Sequence, residues 1–271
     1  MPQPILQQFF AGHPVFTTTA VTQFLAKNGS ENHWTRKALL AHHQKQGRIL
    51  RVRQGLYAVV PFGVQPAKFD PDDFLVAACA TEDAVLAYHT ALEFHGRAHT
   101  VFAQFYFLTR HFCRPFEFRG KRFLGLAPPK PVAASDQSPV AVRQADRAGL
   151  PVQVTSLERT LVDVLDRPDL GGGWEEIWRS LETVEYFDLE EVVAYTRLLA
   201  NATTAAKVGF FLEENRERLS VNDAVLESLR QLRPKQPTYL ERGEKKQGTL
   251  VKGWNLIVPE TVQSRAWQEV A

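Results

Sequence analysis

Glycines at positions 29, 47 and 55 punctuate the start of the chain and bound the elements that can form there. Ahead of the first, Thr17, Thr18 and Thr19 supply N-cap hydroxyls for a helix in which Val21, Phe24 and Leu25 recur at helical spacing. Asn28-Gly29 ends it, because glycine takes the left-handed conformation past a helix end without a Cβ clash. Ser30 can cap a further helix that runs to about Gln46, and Ile5, Phe9 and Phe10 mark an opening one. The run GRILRVRQGLYAVVP then reads as strand, tight turn at Gln54-Gly55, strand, with Leu50 and Val52 alternating with Arg51 and Arg53. Helix, short turn, helix and hairpin in that order predict a winged helix-turn-helix over residues 1–66.

Charge is concentrated on the same segment. Residues 1–62 carry Lys27, Arg36, Lys37, Lys45, Arg48, Arg51 and Arg53 against one acid, Glu31, a net +6. The whole chain is only +2, so the remainder is −4. A short basic module on an acidic body is the footprint of a polyanion-binding protein, although a solvated basic face would give the same count.

Within the module, the third helix is the candidate reader of base edges. Asn32, His33, Thr35, Arg36 and Lys37 occupy its first turns, the part of a recognition helix that enters the major groove. Arginine can pair bidentately with guanine and asparagine with adenine, while lysine mostly holds phosphate. These side chains would also serve simply to keep the helix soluble. Trp34, Ala38 and Ala41 define one face, with Leu39 and Leu40 off it. Arg48, Arg51, Arg53 and Gln54 would lie on the wing, along phosphates or in a minor groove. The expected partner is double-stranded DNA.

The rest of the chain predicts a second domain over 67–271, so the fold class is α+β, a winged helix-turn-helix followed by a larger, helix-rich mixed α/β domain. FGVQPAKFDPDD after Pro61 reads as a linker. Asp70 or Asp72 can cap a helix through FLVAACA, and Asp83 one through AVLAYHTALEFHG. QFYFLTR and PFEFRGKRFLGL read as two or three antiparallel strands, and 127–151 as a long loop. VQVTS is a short strand, and Ser156 caps a helix in which Leu157, Leu161, Val164 and Leu165 share a face. Gly171, Gly172 and Gly173 break the chain before a helical run, and TYL with TLVKGWNLIVP reads as strands returning to the sheet.

Chemistry is sparse. His89, His95 and His99 lack zinc-ligand spacing, which favours structural roles, and His111 with Cys113 is a poor ligand pair. Ser156 lies in no nucleophile elbow, and the glycine run lacks the Lys-Ser/Thr of a phosphate loop. Glu244 and Lys246, with Asp223 upstream, match the spacing of a nuclease core but fall in a charged stretch, and Glu158-Arg159 reads as an anchoring ion-pair partner. No catalytic residue, metal or cofactor is expected. No run approaches the length of a membrane span, and MPQPILQQFFAGHP lacks a basic n-region and a cleavage site. Two cysteines are too few for a disulfide framework, which suits a reducing cytoplasm.

GRILRVRQGLYA, AVLAYHTALEFHG, TSLERTLVDVLDRP and TTAAKVGFFLEENRE together, in this order, resemble the AbiEi family. These are antitoxins of type IV abortive-infection toxin–antitoxin systems, and the resemblance covers most of the chain. It implies a winged-helix domain that binds inverted repeats upstream of its own operon and represses it. It also implies a C-terminal domain that counters a nucleotidyltransferase toxin without forming a stable complex, and no catalytic residues. The HHQKQ end of the third helix departs from the Arg-rich pattern of the family. Two other readings remain: a winged-helix regulator whose C-terminal domain senses a ligand, and a DNA-targeted nuclease.

Overall fold

The computed structural model describes residues 3–29, 33–134, 140–241 and 248–265, with side chains from residue 6 onward in the first stretch and from residue 36 in the second. Asn32, Glu244 and Lys246 lie outside the described residues. The fold is mixed α+β and divides into two compact units, one made of 1–86, 103–127 and 144–154, the other of 87–102, 128–143 and 155–271. The boundary expected at 66/67 therefore falls inside the first unit. Among the described residues no helix is long and apolar enough to cross a membrane.

The first unit opens with α1 (Gln3–Gly12), β1 (Val15–Thr17), α2 (Thr18–Lys27), α3 (His33–Lys45) and the hairpin β2 (Ile49–Arg53) and β3 (Leu56–Val59). The strands form a sheet in the order β1-β3-β2, both pairings antiparallel. The helices are held to it by a core of Leu6, Phe9, Phe10, Phe16, Val21, Leu25, Leu40 and Ile49. Thr17 caps α2, its hydroxyl accepting from the Ala20 amide at 3.2 Å. The inward face of α3 differs from the one expected: Leu40 and His43 are buried, while Ala38 and Ala41 are exposed. The side chain of Trp34, the third member of the expected face, lies outside the described residues.

The segment expected as a linker is tied down. Asp72 caps α4 (Asp73–Ala78), Lys121 bridges Asp70 and Asp73 at 2.6 and 2.5 Å, and Arg119 donates to the Pro66 carbonyl at 2.6 Å. A six-stranded sheet follows in the order β6-β7-β5-β4-β9-β8. Its members are β4 (Val85–Leu86), β5 (Gln104–Leu108), β6 (Phe116–Phe118), β7 (Lys121–Leu126), β8 (Val142–Arg147) and β9 (Leu150–Thr155). Three expectations are corrected here. Val85-Leu86 is a strand, and Asp83 caps no helix but accepts from Thr109 Oγ1 and the Arg110 amide. β5 and β7 run parallel rather than antiparallel. The supposed loop at 127–151 holds a short helix and the hairpin β8–β9, whose turn residues Ala148 and Gly149 both have positive φ (51° and 81°).

The second unit is mostly helical: α5 (His89–Phe94), α6 (Lys130–Ala134), α7 (Leu157–Asp166), α8 (Trp174–Glu182), α9 (Leu189–Leu199), α10 (Ala202–Glu214), α11 (Asp223–Arg230) and α12 (Glu260–Gln263). Ser156, Asp188, Asn201 and Asn222 cap α7, α9, α10 and α11 through side-chain oxygens, which satisfies amides the helices leave unpaired. Trp178, Phe187, Tyr195, Phe211 and Trp254 fill the interior. The last strands, β10 (Thr238–Tyr239), β11 (Gly248–Val251) and β12 (Leu256–Pro259), form their own sheet in the order β10-β12-β11 rather than rejoining the larger one.

Candidate nucleic-acid interface

The geometry of the basic module starts at the joint between α2 and α3. His33 and Thr35 lie on the first turn of α3. Arg36, one turn on, donates through Nη1 to Thr22 Oγ1 at 2.5 Å and so ties α3 to α2. Lys37 beside it is exposed. Arg36 is therefore part clamp and part exposed cation, a split that sequence spacing does not reveal.

The hairpin separates its arginines. A register shift between Arg51 and Arg53 breaks the strict alternation of β2, so that Ile49 and Val52 are buried while Arg51 faces solvent. Arg48 and Gln54 are also exposed, and the side chains of Arg48 and Arg51 make no hydrogen bond or ion pair among the described residues. Arg53 does not share that freedom. Its guanidinium lies over the Phe116 ring at 4.8 Å, Nη1 reaches Cys113 Sγ at 3.3 Å, and Nη2 donates to the Ala80 carbonyl. The expectation that Arg53 lies along phosphates is corrected accordingly: the bulge turns it inward, where an aromatic face and a carbonyl replace water.

The hairpin is also short. β1 pairs with β3 from Leu56, directly after the turn, and the Thr18 amide donates to the Gly55 carbonyl at 2.8 Å. The turn is thus fastened to the start of α2. The loop 109–115 contributes Cys113 to Arg53, just before the turn. Sequence reading weighed His111 and Cys113 only as metal ligands; in the structure Cys113 is buried and His111 exposed. Arg110 and Arg114 flank them, and the run TRHFCR carries that basic signal in the sequence.

The other titratable groups singled out in the sequence find partners within the second unit. His89 is fully buried between Glu93 Oε1 at 2.9 Å and Glu176 Oε1 at 3.1 Å, with its ring stacked on Phe102. Arg159 is buried against Asp163, while Glu158 accepts from the Asp188 amide. Asp223 pairs with Arg216 at 3.0 Å. Among the described residues no three His, Cys, Asp or Glu side chains gather as metal ligands.

The chain matches no family model and no curated protein. Among solved structures it is similar to the crystal structure of the RV2827C protein from Mycobacterium tuberculosis. The two share 16% identity over 98% of this chain and 94% of that one, with a TM-score of 0.60. At that identity the likeness concerns the fold.

Proposed function

We propose that the protein binds duplex DNA through residues 1–66, acting as a winged helix-turn-helix with α3 as recognition helix and the β2–β3 hairpin as a short wing. One observation carries the reading: α2, turn, α3 and hairpin follow one another in a segment of net +6, and Lys37, Arg48 and Arg51 remain exposed on it. Exposed cations beside a helix of groove-reading composition suit a polyanion with grooves. On the resemblance to AbiEi antitoxins, the finer proposal is an autorepressor that acts on inverted repeats upstream of its operon. It also counters a nucleotidyltransferase toxin.

The test is anisotropy of the full chain on duplex from upstream of its own gene, titrated with KCl. The full chain is needed because Arg53 takes partners from residues beyond 66. Affinity should fall steeply with salt, and R48A/R51A should lower the log–log slope by about 1.8, two phosphates at roughly 0.9 each. Arg36→Ala should cost about 1–3 kcal/mol on the operator and relax specificity. Absent or salt-independent binding overturns the DNA reading. Growth rescue of cells expressing the cognate nucleotidyltransferase toxin that this reading requires tests the antitoxin part, and failure by well-expressed protein overturns it.

A further inference from the structure

The DNA reading leaves a difficulty inside the first unit. A wing normally reaches beyond the sheet that carries it, yet this hairpin ends where β1 begins to pair, and its Arg53 is turned inward. The loop 109–115, joining β5 to β6, sits against that turned-in arginine through Cys113 and through Phe116 just after it.

This loop is built rather than loose. The Asp83 carboxylate accepts from Thr109 Oγ1 at 2.6 Å and from the Arg110 amide at 2.7 Å, and Thr109 Oγ1 accepts from the His111 amide at 3.1 Å. Cys113 is buried. What the fixed backbone presents is Arg110, His111, Phe112 and Arg114, all exposed. The side chains of Arg110 and Arg114 make no hydrogen bond or ion pair among the described residues. The surrounding segment, 103–127, holds five Lys and Arg against the single acid Glu117. Phe112 is 86% exposed. Leaving a phenyl ring in water forgoes the stabilisation that burial would supply. Between two free guanidiniums, such a ring has the composition of a groove-edge contact, with arginines on phosphates and an apolar ring against sugars or a base step.

We infer that the loop 109–115 is a second duplex-DNA contact that extends the truncated wing, with Arg110 and Arg114 on backbone phosphates and Phe112 as the apolar element at the groove edge. The inference rests on the DNA reading above and adds a contact outside residues 1–66. Arg53 and Cys113 couple the two elements, so the hairpin and the loop are presented as one surface.

The experiment measures binding of the full chain to a labelled duplex over a KCl series, for the wild type and for R110A/R114A, R110K/R114K and F112A. R110A/R114A should lower the log–log salt slope by about 1.8, at roughly 0.9 per phosphate, for operator and unrelated duplex alike. R110K/R114K should keep the wild-type slope, since phosphate needs the charge and not the guanidinium fork. F112A should weaken binding with the slope unchanged. All four proteins should melt alike, because the substituted side chains are exposed. If R110A/R114A keeps the wild-type slope while R48A/R51A loses it, the loop is no DNA contact and the inference fails alone. A slope change confined to single-stranded RNA also overturns it. If the wild type binds no duplex, the DNA reading and the inference fall together.

Discussion

His43 in the first unit and His89 in the second are both withdrawn from water, but their surroundings are opposite. His89 lies between two carboxylates, Glu93 and Glu176, and Glu176 also accepts from the Thr100 amide and Ser180 Oγ. His43 packs edge-on against Phe10 at 5.1 Å, its Nδ1 has no hydrogen-bond partner among the described residues, and His42 and Arg48 are charged neighbours. The arginines repeat the contrast. Arg159 in the second unit is buried with Asp163 at 3.1 Å, the Val140 carbonyl and the Tyr195 ring, whereas Arg48 and Arg51 in the first stand unpaired in solvent. Arg159 is spent inside the second unit, on its own architecture. Arg48 and Arg51 stay on the outside of the first, where an external anion can reach them.

The largest test of that contrast is Asp163→Ala. Asp163 accepts from Arg159 Nε and from Tyr195 Oη at 2.7 Å, and removing it leaves a guanidinium buried with no counter-charge. Breaking one partner of a buried pair costs about 3–5 kcal/mol, so chemical denaturation should show that loss or outright unfolding. A loss below about 1 kcal/mol would mean that water reaches Arg159, and the account of a closed interior would be wrong.

A smaller effect separates two arginines on one strand. Arg53→Ala removes a cation–π contact and two hydrogen bonds and should cost about 1–3 kcal/mol. Arg51→Ala removes no hydrogen bond or ion pair among the described residues and should stay within about 0.5 kcal/mol of wild type. Thermal melts of the two proteins suffice. Equal losses would show that Arg53 is solvated like its neighbour, returning it to the set of free hairpin cations.

Why Arg53 escaped the sequence reading is instructive, because most of its neighbourhood did not. The threonine cap of α2, the stop at Gly29 and the turn at Gln54-Gly55 were legible from local chemistry, and so were Ser156 before α7 and the helices α8 to α11. Each depends on residues within a few positions of one another. The bulge in β2 has no local marker; it is set by pairing with β3 and by what Phe116 offers from far along the chain. The β8–β9 hairpin was missed for a related reason. Its turn uses Ala148-Gly149 where Asn-Gly would announce it, and alanine at positive φ is tolerated because the flanking strands pair. The parallel pairing of β5 with β7 and the separate terminal sheet are likewise long-range choices. Of the candidate interface, the residue types were legible and their exposure was not. Sequence put Arg48, Arg51 and Arg53 together; packing kept two outside and took the third in.

The finest test returns to His43. Burial lowers its pKa below the ordinary value of about 6.5, and the positive charges of Arg48 and His42 act in the same direction. The folded first unit therefore binds a proton at His43 less readily than the unfolded chain does. Stability from this residue is complete above about pH 6.5 and is lost as pH falls through the folded-state pKa, because the unfolded chain takes up the proton first. The urea midpoint should accordingly drop between pH 7.5 and 5.5. His95, half-buried in the second unit and lowered by desolvation, contributes in the same sense, so the wild-type slope alone does not isolate His43. His43→Leu does: it keeps an apolar group against Phe10, removes the titrating ring and should flatten the pH dependence while the His95 contribution persists. A variant with the same pH slope as wild type would show that His43 is protonated in the fold at no cost. The contrast between a unit that pairs its buried histidine and one that holds it neutral would then collapse.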